Sequence, residues 1–367
     1  MLTRKKVSVA LVLILAMLAA AACGSSGGSP SPGTSASGND PSGEGAQEVA
    51  AEPDKVRFAY FPAFHTMVVF VAEQGGFFEK QNIEVDMIYT DRGSLQTQML
   101  IANETDIATG DLTSIAVANS QNRNLLHIFP TSQHMSMNFV ASNESLERLG
   151  VGKDDPLEAK LEALGKMRIG ITGPNAPTDI YTRFLLDQGG YDPKDVEIIA
   201  LSNAGNLMAA LKSGQIDGFM LTPPSPNQPE LEGYGTVLIK SSAGEVPELA
   251  NYPYQGITVR KAWAEANPEV ASRFVKALLE ASEFIKNQPE EATVHLKAYF
   301  EEMADESIEA GMADMIPALP TDGLMTEDFV QHYLELNKEL GILELEELPS
   351  SADGELWTND YVLQAAE

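Results

Sequence analysis

Strand-like and helix-like segments alternate along the chain from residue 54 onward, and this alternation restricts the possible folds more than any other feature. Apolar, strand-like runs at 55–62 (KVRFAYFP) and 83–90 (IEVDMIYT) precede a helix-like run at 94–103, in which apolar side chains recur on one face. Strands that alternate with helices of this length are typical of parallel sheets with helices on both faces. We therefore predict an α/β protein with doubly wound sheets.

The alternation occurs twice with similar local patterns. Residues 95–111 (LQTQMLIANETDIATGD) and 206–221 (NLMAALKSGQIDGFML) each contain an amphipathic helix, a polar turn and a short apolar strand. This repetition predicts two similar lobes joined by two crossover segments, followed by helices from residue 261 onward. The predicted boundaries are 54–142 and 256–350 for lobe 1, 146–248 for lobe 2, crossovers near 142–145 and 251–258, and a C-terminal tail at 351–367.

The N-terminus has the order of a secretory signal: a basic cluster at 4–6, an apolar run of about 16 residues, and small residues before a cysteine. The run is shorter than the roughly 20 residues that a membrane-spanning helix needs. The small residues before Cys23, the only cysteine of the chain, resemble a bacterial lipobox, in which the cysteine carries the lipid. We predict a signal peptide at 1–22 and a lipid on Cys23. The alternative is an ordinary signal peptide with an incidental cysteine.

Residues 23–53 consist mostly of Gly, Ser, Pro, Ala and acidic residues. Such a segment cannot bury enough apolar surface to offset the entropy lost on ordering, and a Gly/Ser-rich chain behaves as a flexible tether. We therefore predict a disordered linker that holds the folded body near a membrane through the lipid on Cys23.

The composition of the chain excludes several classes of function. The 53 acidic residues against 24 basic ones give a net charge of −29, and nucleic-acid binding depends on Lys and Arg that neutralise phosphates. The five histidines show no metal-binding spacing, and no Walker A, GxSxG or GxGxxG motif is present. We expect no nucleic-acid partner, no metal, no cofactor and no catalytic residues, and we expect a monomer.

Three segments carry a resemblance to a known family. Residues 71–85 (VAEQGGFFEKQNIEV), 166–199 (KMRIGITGPNAPTDIYTRFLLDQGGYDPKDVEII) and 207–224 (LMAALKSGQIDGFMLTPP) resemble the periplasmic substrate-binding proteins of ABC transporters for aliphatic sulfonates, taurine, nitrate and thiamine-pyrimidine precursors. The resemblance covers roughly residues 55–286, most of the folded body. It is fairly specific for the superfamily and weak for any one ligand.

The resemblance implies a bilobal, type II periplasmic-binding-protein fold that closes on a small molecule. It also implies delivery of that molecule to an ABC permease driven by a cytoplasmic ATPase, from the extracytoplasmic face of the cell membrane. Two alternatives remain. One is a pyrimidine synthase of the same fold, although the histidine and cysteine cluster of that branch has no match in this chain. The other is a sensor that presents its ligand to a receptor.

Ligands of open α/β sheets bind beyond the carboxyl ends of the strands. This rule selects candidate residues independently of the family resemblance. Four strand ends, at Phe61, Gly110, Thr172 and Thr222, would meet in a two-lobed clamp. The predicted ligand-binding residues are Phe61, Phe64, His65, Thr66, Asp111, Thr113, Ser114, Thr172, Asn175, Thr178, Thr222, Pro223, Ser225 and Tyr254. Several have a structural alternative, since Asp111, Thr113, Ser114 and Thr178 could cap helices and the two phenylalanines could be core.

The chemistry of these residues favours two kinds of ligand. Aromatic side chains at the strand ends suit a planar ring, and Asp111 and Asp179 suit an amino group, as in an aminopyrimidine. An anionic sulfonate held at helix N-termini is the other option, with His65 as a counter-charge. The net charge of −29 disfavours the approach of an anion.

Overall fold

The computed structural model of the protein describes residues 52–90 and 93–367. The predicted signal peptide, Cys23 and all but the last two residues of the predicted linker lie outside these ranges. Within them, none of the helices is both long enough and apolar enough to span a bilayer.

In the part of the chain that the structure describes, ten strands form two five-stranded sheets. They are β1 (Asp54–Tyr60), β2 (Ile83–Tyr89), β3 (Ile107–Gly110), β4 (Leu125–Ser132), β5 (Asn138–Ser142), β6 (Ile169–Ile171), β7 (Ile198–Ala200), β8 (Gly218–Leu221), β9 (Gly235–Lys240) and β10 (Gln255–Arg260). The first sheet has the order β2-β1-β3-β10-β4 and the second has the order β7-β6-β8-β5-β9. The α/β, bilobal fold that the sequence predicts is therefore confirmed.

Helices cover both sheets and form most of the C-terminal third of the chain. They are α1 (Met67–Gln74), α2 (Phe77–Lys80), α3 (Gly93–Ile101), α4 (Leu112–Ser120), α5 (Asn143–Leu149), α6 (Leu157–Leu164), α7 (Pro177–Gln188), α8 (Ala204–Lys212), α9 (Asn227–Leu231), α10 (Lys261–Ala266), α11 (Pro268–Asn287), α12 (Pro289–Lys297), α13 (Asp305–Met315), α14 (Glu327–Glu339) and α15 (Asp360–Ala365). The long helix α11 buries one apolar face against the first sheet, as its apolar spacing requires.

The two sheets repeat one plan, with corresponding residues 111 positions apart. Arg57 and Arg168 correspond, as do Asp106 and Asp217, and β3 and β8 begin at residues 107 and 218. In the first sheet, Nε and Nη2 of Arg57 donate to the Asp106 carboxylate at 2.9 and 2.7 Å. In the second, Arg168 makes the same two bonds to Asp217, each at 3.0 Å. The similarity of the two lobes thus extends to the ion pair beside each central strand.

The sheets are mixed, which refines the expectation of parallel sheets drawn from the alternation of strands and helices. β10 runs antiparallel to β3 and β4, and β5 runs antiparallel to β8 and β9. Each of these strands enters its sheet directly from the other lobe, and it therefore runs opposite to the strands that follow a helical crossover. Side-chain periodicity does not reveal this reversal of direction.

The pairing of β5 places the boundary between the lobes earlier in the chain than the sequence predicts. Because β5 belongs to the second sheet, the chain first crosses between sheets at 133–137, not at 142–145. It returns through 241–254. The two crossovers are bonded to each other, since Tyr252 N–H donates to the Gln133 carbonyl at 2.8 Å and Met135 N–H donates to the Leu249 carbonyl at 3.0 Å.

The segment 351–367 is not a loose tail. Trp357 is 2% exposed, and its indole N–H donates to the Ser351 carbonyl at 2.8 Å. Tyr361 and Val362 of α15 join the apolar cluster that α11 forms with the first sheet. The polar composition of the segment hides this packing, because only a few of its side chains point inward.

Replacing Asp217 with asparagine should lower the free energy of unfolding by about 2 kcal/mol at pH 7. Burial alone would raise the pKa of Asp217, but hydrogen bonds from Arg168 and Ser145 hold it at about 2. A depressed carboxyl pKa stabilises the folded state above the unfolded pKa of about 4, and this contribution is lost as the pH falls toward 2. Urea unfolding between pH 7 and pH 3 measures the effect.

The matched control is Glu162→Gln, which removes an exposed salt bridge to Lys166. It should hardly change the unfolding midpoint, because exposed ion pairs contribute little. Equal effects of the two substitutions would contradict a stabilising role for the Asp217 pair.

Candidate ligand-binding site

The strand ends selected from the sequence lie at one edge of each sheet, beside the crossovers. β1, β3, β6 and β8 end at these edges. The antiparallel strands β5 and β10 begin there, since Asn138 pairs with Leu221 and Gly256 pairs with Gly110. Each edge therefore collects residues that follow parallel strands and residues that precede a crossover strand.

Asp111 caps α4 and acts electrostatically on tyrosines of both lobes. Its carboxylate accepts from the backbone N–H and from the hydroxyl of Ser114, both at 2.8 Å, so the capping alternative is observed for Asp111 and Ser114. Burial, followed by the nearby Asp111 carboxylate, raises the pKa of Tyr254 to about 12. The same carboxylate contributes to the raised pKa of Tyr181, which lies on α7 of the second lobe. Asp111 is therefore close to residues of both lobes.

A group of four tyrosines, which we call the tyrosine cluster, packs behind Asp111; its members are Tyr181, Tyr252, Tyr254 and Tyr333. The hydroxyls of Tyr181 and Tyr252 are 2.8 Å apart, and Asn337 Nδ2 donates to the Tyr252 hydroxyl at 2.6 Å. The Thr113 hydroxyl donates to that of Tyr333 at 3.1 Å. The cluster thus joins α4 and α14 of lobe 1, a crossover, and α7 of lobe 2.

The residues that follow β1, at 61–66, differ in how far they are exposed. Phe61 is 36% exposed, whereas Phe64 is 1% exposed and packs on Phe300 with ring centroids 4.8 Å apart. The structure therefore places Phe64 in the core, not on a cleft wall. His65 lies edge-on to Tyr254 at 6.0 Å, and Thr66 is fully buried. Among the described residues, neither His65 Nδ1 nor Thr66 Oγ1 has a hydrogen-bond partner.

His65 is neutral at physiological pH, because burial lowers its pKa to about 4. In the ligand-free protein His65 therefore carries no charge, and its role as a counter-charge for a sulfonate stays a prediction. The ring can still donate or accept one hydrogen bond at Nδ1.

The loop after β6 is held by its own side chains. The Thr178 hydroxyl accepts from Thr172 N–H at 2.9 Å and lies 2.8 Å from the Thr172 hydroxyl. Asp179 accepts from Asn175 N–H at 2.9 Å and from Arg183 Nε at 2.6 Å. Both Asp179 oxygens are engaged and the residue is 3% exposed, so it is less accessible to an amino group than the half-buried Asp111, whose two oxygens are also engaged, by Ser114. Thr178 therefore holds the loop and does not cap α7, whose N-cap residue is Ala176 and has no side-chain cap.

The residues after β8 contact a helix from the C-terminal third. Pro223 is buried, and Thr222 and Ser225 are half-buried. The adjacent Pro224 packs against Gly311 of α13, where an added Cβ would lie 2.6 Å from Pro224 Cβ and 2.8 Å from Phe64 Cε2. Helix α13 therefore lies between the end of β8 in lobe 2 and the end of β1 in lobe 1.

Two kinds of edge residue were missed by reasoning from the sequence. Tyr181 and Tyr333 lie inside amphipathic helices, where they look like ordinary core positions. The second kind lies beside β5 and β9 and consists of Ser136, Asn138 and Ser241. The rule for ligand positions selects only residues after strands that a helix follows, so it does not reach these three. Recognising β5 as a crossover strand would have added Asn138.

The larger surface cavities lie away from these edges. One of about 730 Å³ is bounded by Gln228, Ser307 and the segment 298–304, and it contains none of the predicted ligand-binding residues. The candidate site is therefore defined by the convergence of side chains at the two sheet edges.

Each of the two mixed sheets contains one strand that the chain enters directly from the other sheet, through one of two paired crossovers. This arrangement is typical of bilobal periplasmic binding proteins. The periplasmic aliphatic sulphonate binding protein SsuA from Escherichia coli has this fold, with a TM-score of 0.63 at 14% identity over 80% of this chain and 95% of SsuA. A sequence model of the NMT1-like family matches residues 49–298, and the chain belongs to that family. The resemblance drawn from the sequence is confirmed.

Two curated relatives match with low identity. YtlA of Bacillus subtilis, which is named as a binding protein, is 26% identical over 247 residues, covering 66% of this chain and 70% of YtlA. The bicarbonate-binding protein CmpA of Synechococcus is 23% identical over 270 residues, covering 66% of this chain but only 56% of CmpA. Both names describe binding proteins, in agreement with the prediction that the chain is not an enzyme.

Proposed function

We propose that this protein is the solute-binding component of an ABC import system. It captures a small molecule between the two sheet edges and delivers it to a permease that a cytoplasmic ATPase drives. Membership of the NMT1-like family and the names of its relatives support the role. The observation that carries the proposal is the convergence of Asp111 and the tyrosine cluster from both lobes at the crossovers.

Binding proceeds by a shift between two arrangements of the lobes. Contacts from both edges stabilise the arrangement in which the lobes meet, and the ligand shifts this equilibrium only through its higher affinity for that arrangement. The permease then recognises the form with the lobes together. A sensor would use the same shift, and a gene for a receptor kinase next to this one, in place of permease and ATPase genes, would favour that alternative.

The ligand that the site suits best is a small, planar, nitrogen-containing ring such as an aminopyrimidine. Asp111 provides a carboxylate for an N–H donor, neutral His65 provides one hydrogen bond, and Tyr254 provides an aromatic face. A sulfonate, held by backbone N–H groups at helix N-termini, is the second candidate. The first is favoured because no lysine or arginine occurs among the predicted ligand-binding residues.

A thermal-shift screen tests the proposal. A ligand that binds only the folded protein raises its melting temperature, because it stabilises that state by RT ln(1 + [L]/Kd). The panel contains cytosine, 4-aminopyrimidine, methanesulfonate, taurine, nitrate and bicarbonate. A shift of several degrees with at least one of them is expected, and no shift with any of them would contradict the proposed ligand classes.

We also propose that Cys23 carries the lipid that holds the protein on the extracytoplasmic face of the membrane. Replacing Cys23 with serine should release the protein into the soluble fraction of the cell envelope, because the chain then lacks the acyl chains that anchor it. Fractionation followed by a carbonate wash measures this, and Ser25→Ala in the same segment is the control. If the Cys23 variant still sediments with membranes, the protein has another attachment.

A further inference from the structure

Three buried polar residues lie together at the edge of the second sheet; we call Ser136, Asn138 and Ser241 the serine–asparagine cluster. Asn138 is the first residue of β5 and pairs with Leu221 and Lys240, the last residues of β8 and β9. Ser136 lies two residues before it in the first crossover, and Ser241 directly follows β9. All three are 0% exposed.

The Asn138 amide has a fixed orientation. Its Oδ1 accepts from the backbone N–H of Ser242 at 3.1 Å, so its Nδ2 group points to the opposite side. Among the described residues, Asn138 Nδ2 and the hydroxyls of Ser136 and Ser241 have no hydrogen-bond partner. The cluster therefore presents one obligate donor and two hydroxyls with nothing in the described chain to bond.

Leaving such groups unpaired is costly. A buried polar atom without a partner costs about 1–3 kcal/mol, and native proteins keep few of them. The cost is avoided if something outside the chain bonds the cluster. Its position favours a ligand, because it lies at the carboxyl edge of the sheet, where ligands of α/β proteins bind.

The cluster is also electrically neutral. Lys240, the cation next to it in the chain, is engaged by Asp314, with Nζ 2.5 Å from Oδ1. Uncharged hydrogen-bond donors such as these suit an oxygen acceptor. The acceptor is either a neutral carbonyl or an oxyanion that is bound by uncharged donors.

We infer that the serine–asparagine cluster binds an acceptor oxygen of the ligand. The inference rests on the proposed function and sharpens it, because the two lobes then recognise opposite ends of one molecule. Asp111 of lobe 1 accepts from an N–H group, and Asn138 Nδ2 of lobe 2 donates to an oxygen. The ligand is a small molecule with a donor at one end and a carbonyl or oxyanion oxygen at the other.

The test is Asn138→Asp, measured by calorimetry with cytosine, 4-aminopyrimidine, methanesulfonate, nitrate and bicarbonate. The carboxylate still accepts from Ser242 N–H but replaces the donor with an acceptor, at nearly unchanged volume. The affinity for probes that carry an acceptor oxygen should fall by about tenfold or more. The affinity for 4-aminopyrimidine, which has no oxygen, should stay unchanged. A loss of affinity for cytosine identifies a carbonyl oxygen as the acceptor. A loss of affinity for methanesulfonate, nitrate or bicarbonate identifies an oxyanion.

Two further variants keep the result interpretable. Asn206→Asp adds the same charge at an exposed asparagine of α8 and should leave every affinity unchanged. Ser241→Ala removes one hydroxyl without adding charge, and it should weaken binding of the same oxygen-bearing probes. It serves as the test if Asn138→Asp does not fold.

Two results would overturn the inference, and they differ. If the wild-type protein binds oxygen-bearing probes and neither Asn138→Asp nor Ser241→Ala changes their affinities, the cluster does not contact ligand, while the proposed function stands. If the wild-type protein binds none of the five probes, the proposed ligand classes and this inference fail together.

Discussion

Replacing Trp357 with alanine should lower the free energy of unfolding by about 3–5 kcal/mol, the usual cost of removing a large buried aromatic side chain. The side chain is 2% exposed and belongs to the apolar cluster that extends from α4 through the crossovers to α6 and α7. Its neighbours also pair with β4, since His127 N–H donates to the Leu356 carbonyl at 2.9 Å and Thr358 N–H donates to the His127 carbonyl at 3.0 Å. Urea unfolding monitored by circular dichroism measures the loss.

The control for this prediction lies in the same segment. Leu363 on α15 is 55% exposed, and Leu363→Ala should change the free energy of unfolding by less than about 0.5 kcal/mol. If Trp357→Ala unfolds at the same urea concentration as the wild type, the segment 351–367 does not pack on the fold in solution.

Much of the fold could be predicted because periodicity reports which residues are buried. The helices predicted from residue 261 onward include α11 and α14, and the recurring pattern at 95–111 and 206–221 corresponds to α3–β3 and α8–β8. Periodicity is blind to direction, however. The reversed strands β5 and β10 looked like any other apolar run, and the lobe boundary was misplaced with them.

Less of the candidate site could be predicted, because its residues depend on contacts between distant segments. Asp111 could be selected from the position of its strand, and its carboxylate contributes to the raised pKa of Tyr254. Phe64 was assigned to a cleft wall, since the sequence gives no sign of the helix that covers it. Tyr181 and Tyr333 are separated by more than one hundred residues, and the structure brings both of them against Tyr252 of the second crossover.

Replacing Asp314 with alanine should weaken ligand binding by about 100-fold. The carboxylate lies on α13 and accepts from Asn227 Nδ2 at 2.6 Å and from Lys240 Nζ at 2.5 Å, both in lobe 2. Removing the carboxylate leaves the Asn227 amide, which is 3% exposed, without its acceptor, and leaves Lys240, which is 41% exposed, without its counter-ion. Together these losses cost about 3 kcal/mol, which corresponds to roughly 100-fold in an equilibrium constant. This cost falls on the arrangement in which the lobes meet, because α13 contacts both lobes there.

The geometry at Gly311 explains why α13 is coupled to lobe movement. The helix touches Phe64 of lobe 1 and Pro224 of lobe 2 at the same glycine, so the lobes cannot separate without breaking one of these contacts. Asp314 holds the helix to lobe 2, and its removal lets the ligand-free lobes separate more often. A ligand that binds only the form with the lobes together then has a weaker apparent affinity, in proportion to the reduced population of that form.

Scattering and calorimetry together separate this effect from general destabilisation. Ligand-free Asp314→Ala should have a larger radius of gyration than the wild type, and saturating ligand should restore the wild-type value. Gly311→Val should act in the same direction, because its added carbons force Phe64 and Pro224 apart. Asp305→Ala, at the exposed start of the same helix, should leave the radius and the affinity unchanged. If Asp314→Ala binds ligand as tightly as the wild type, α13 moves with lobe 1 alone and does not govern the separation of the lobes.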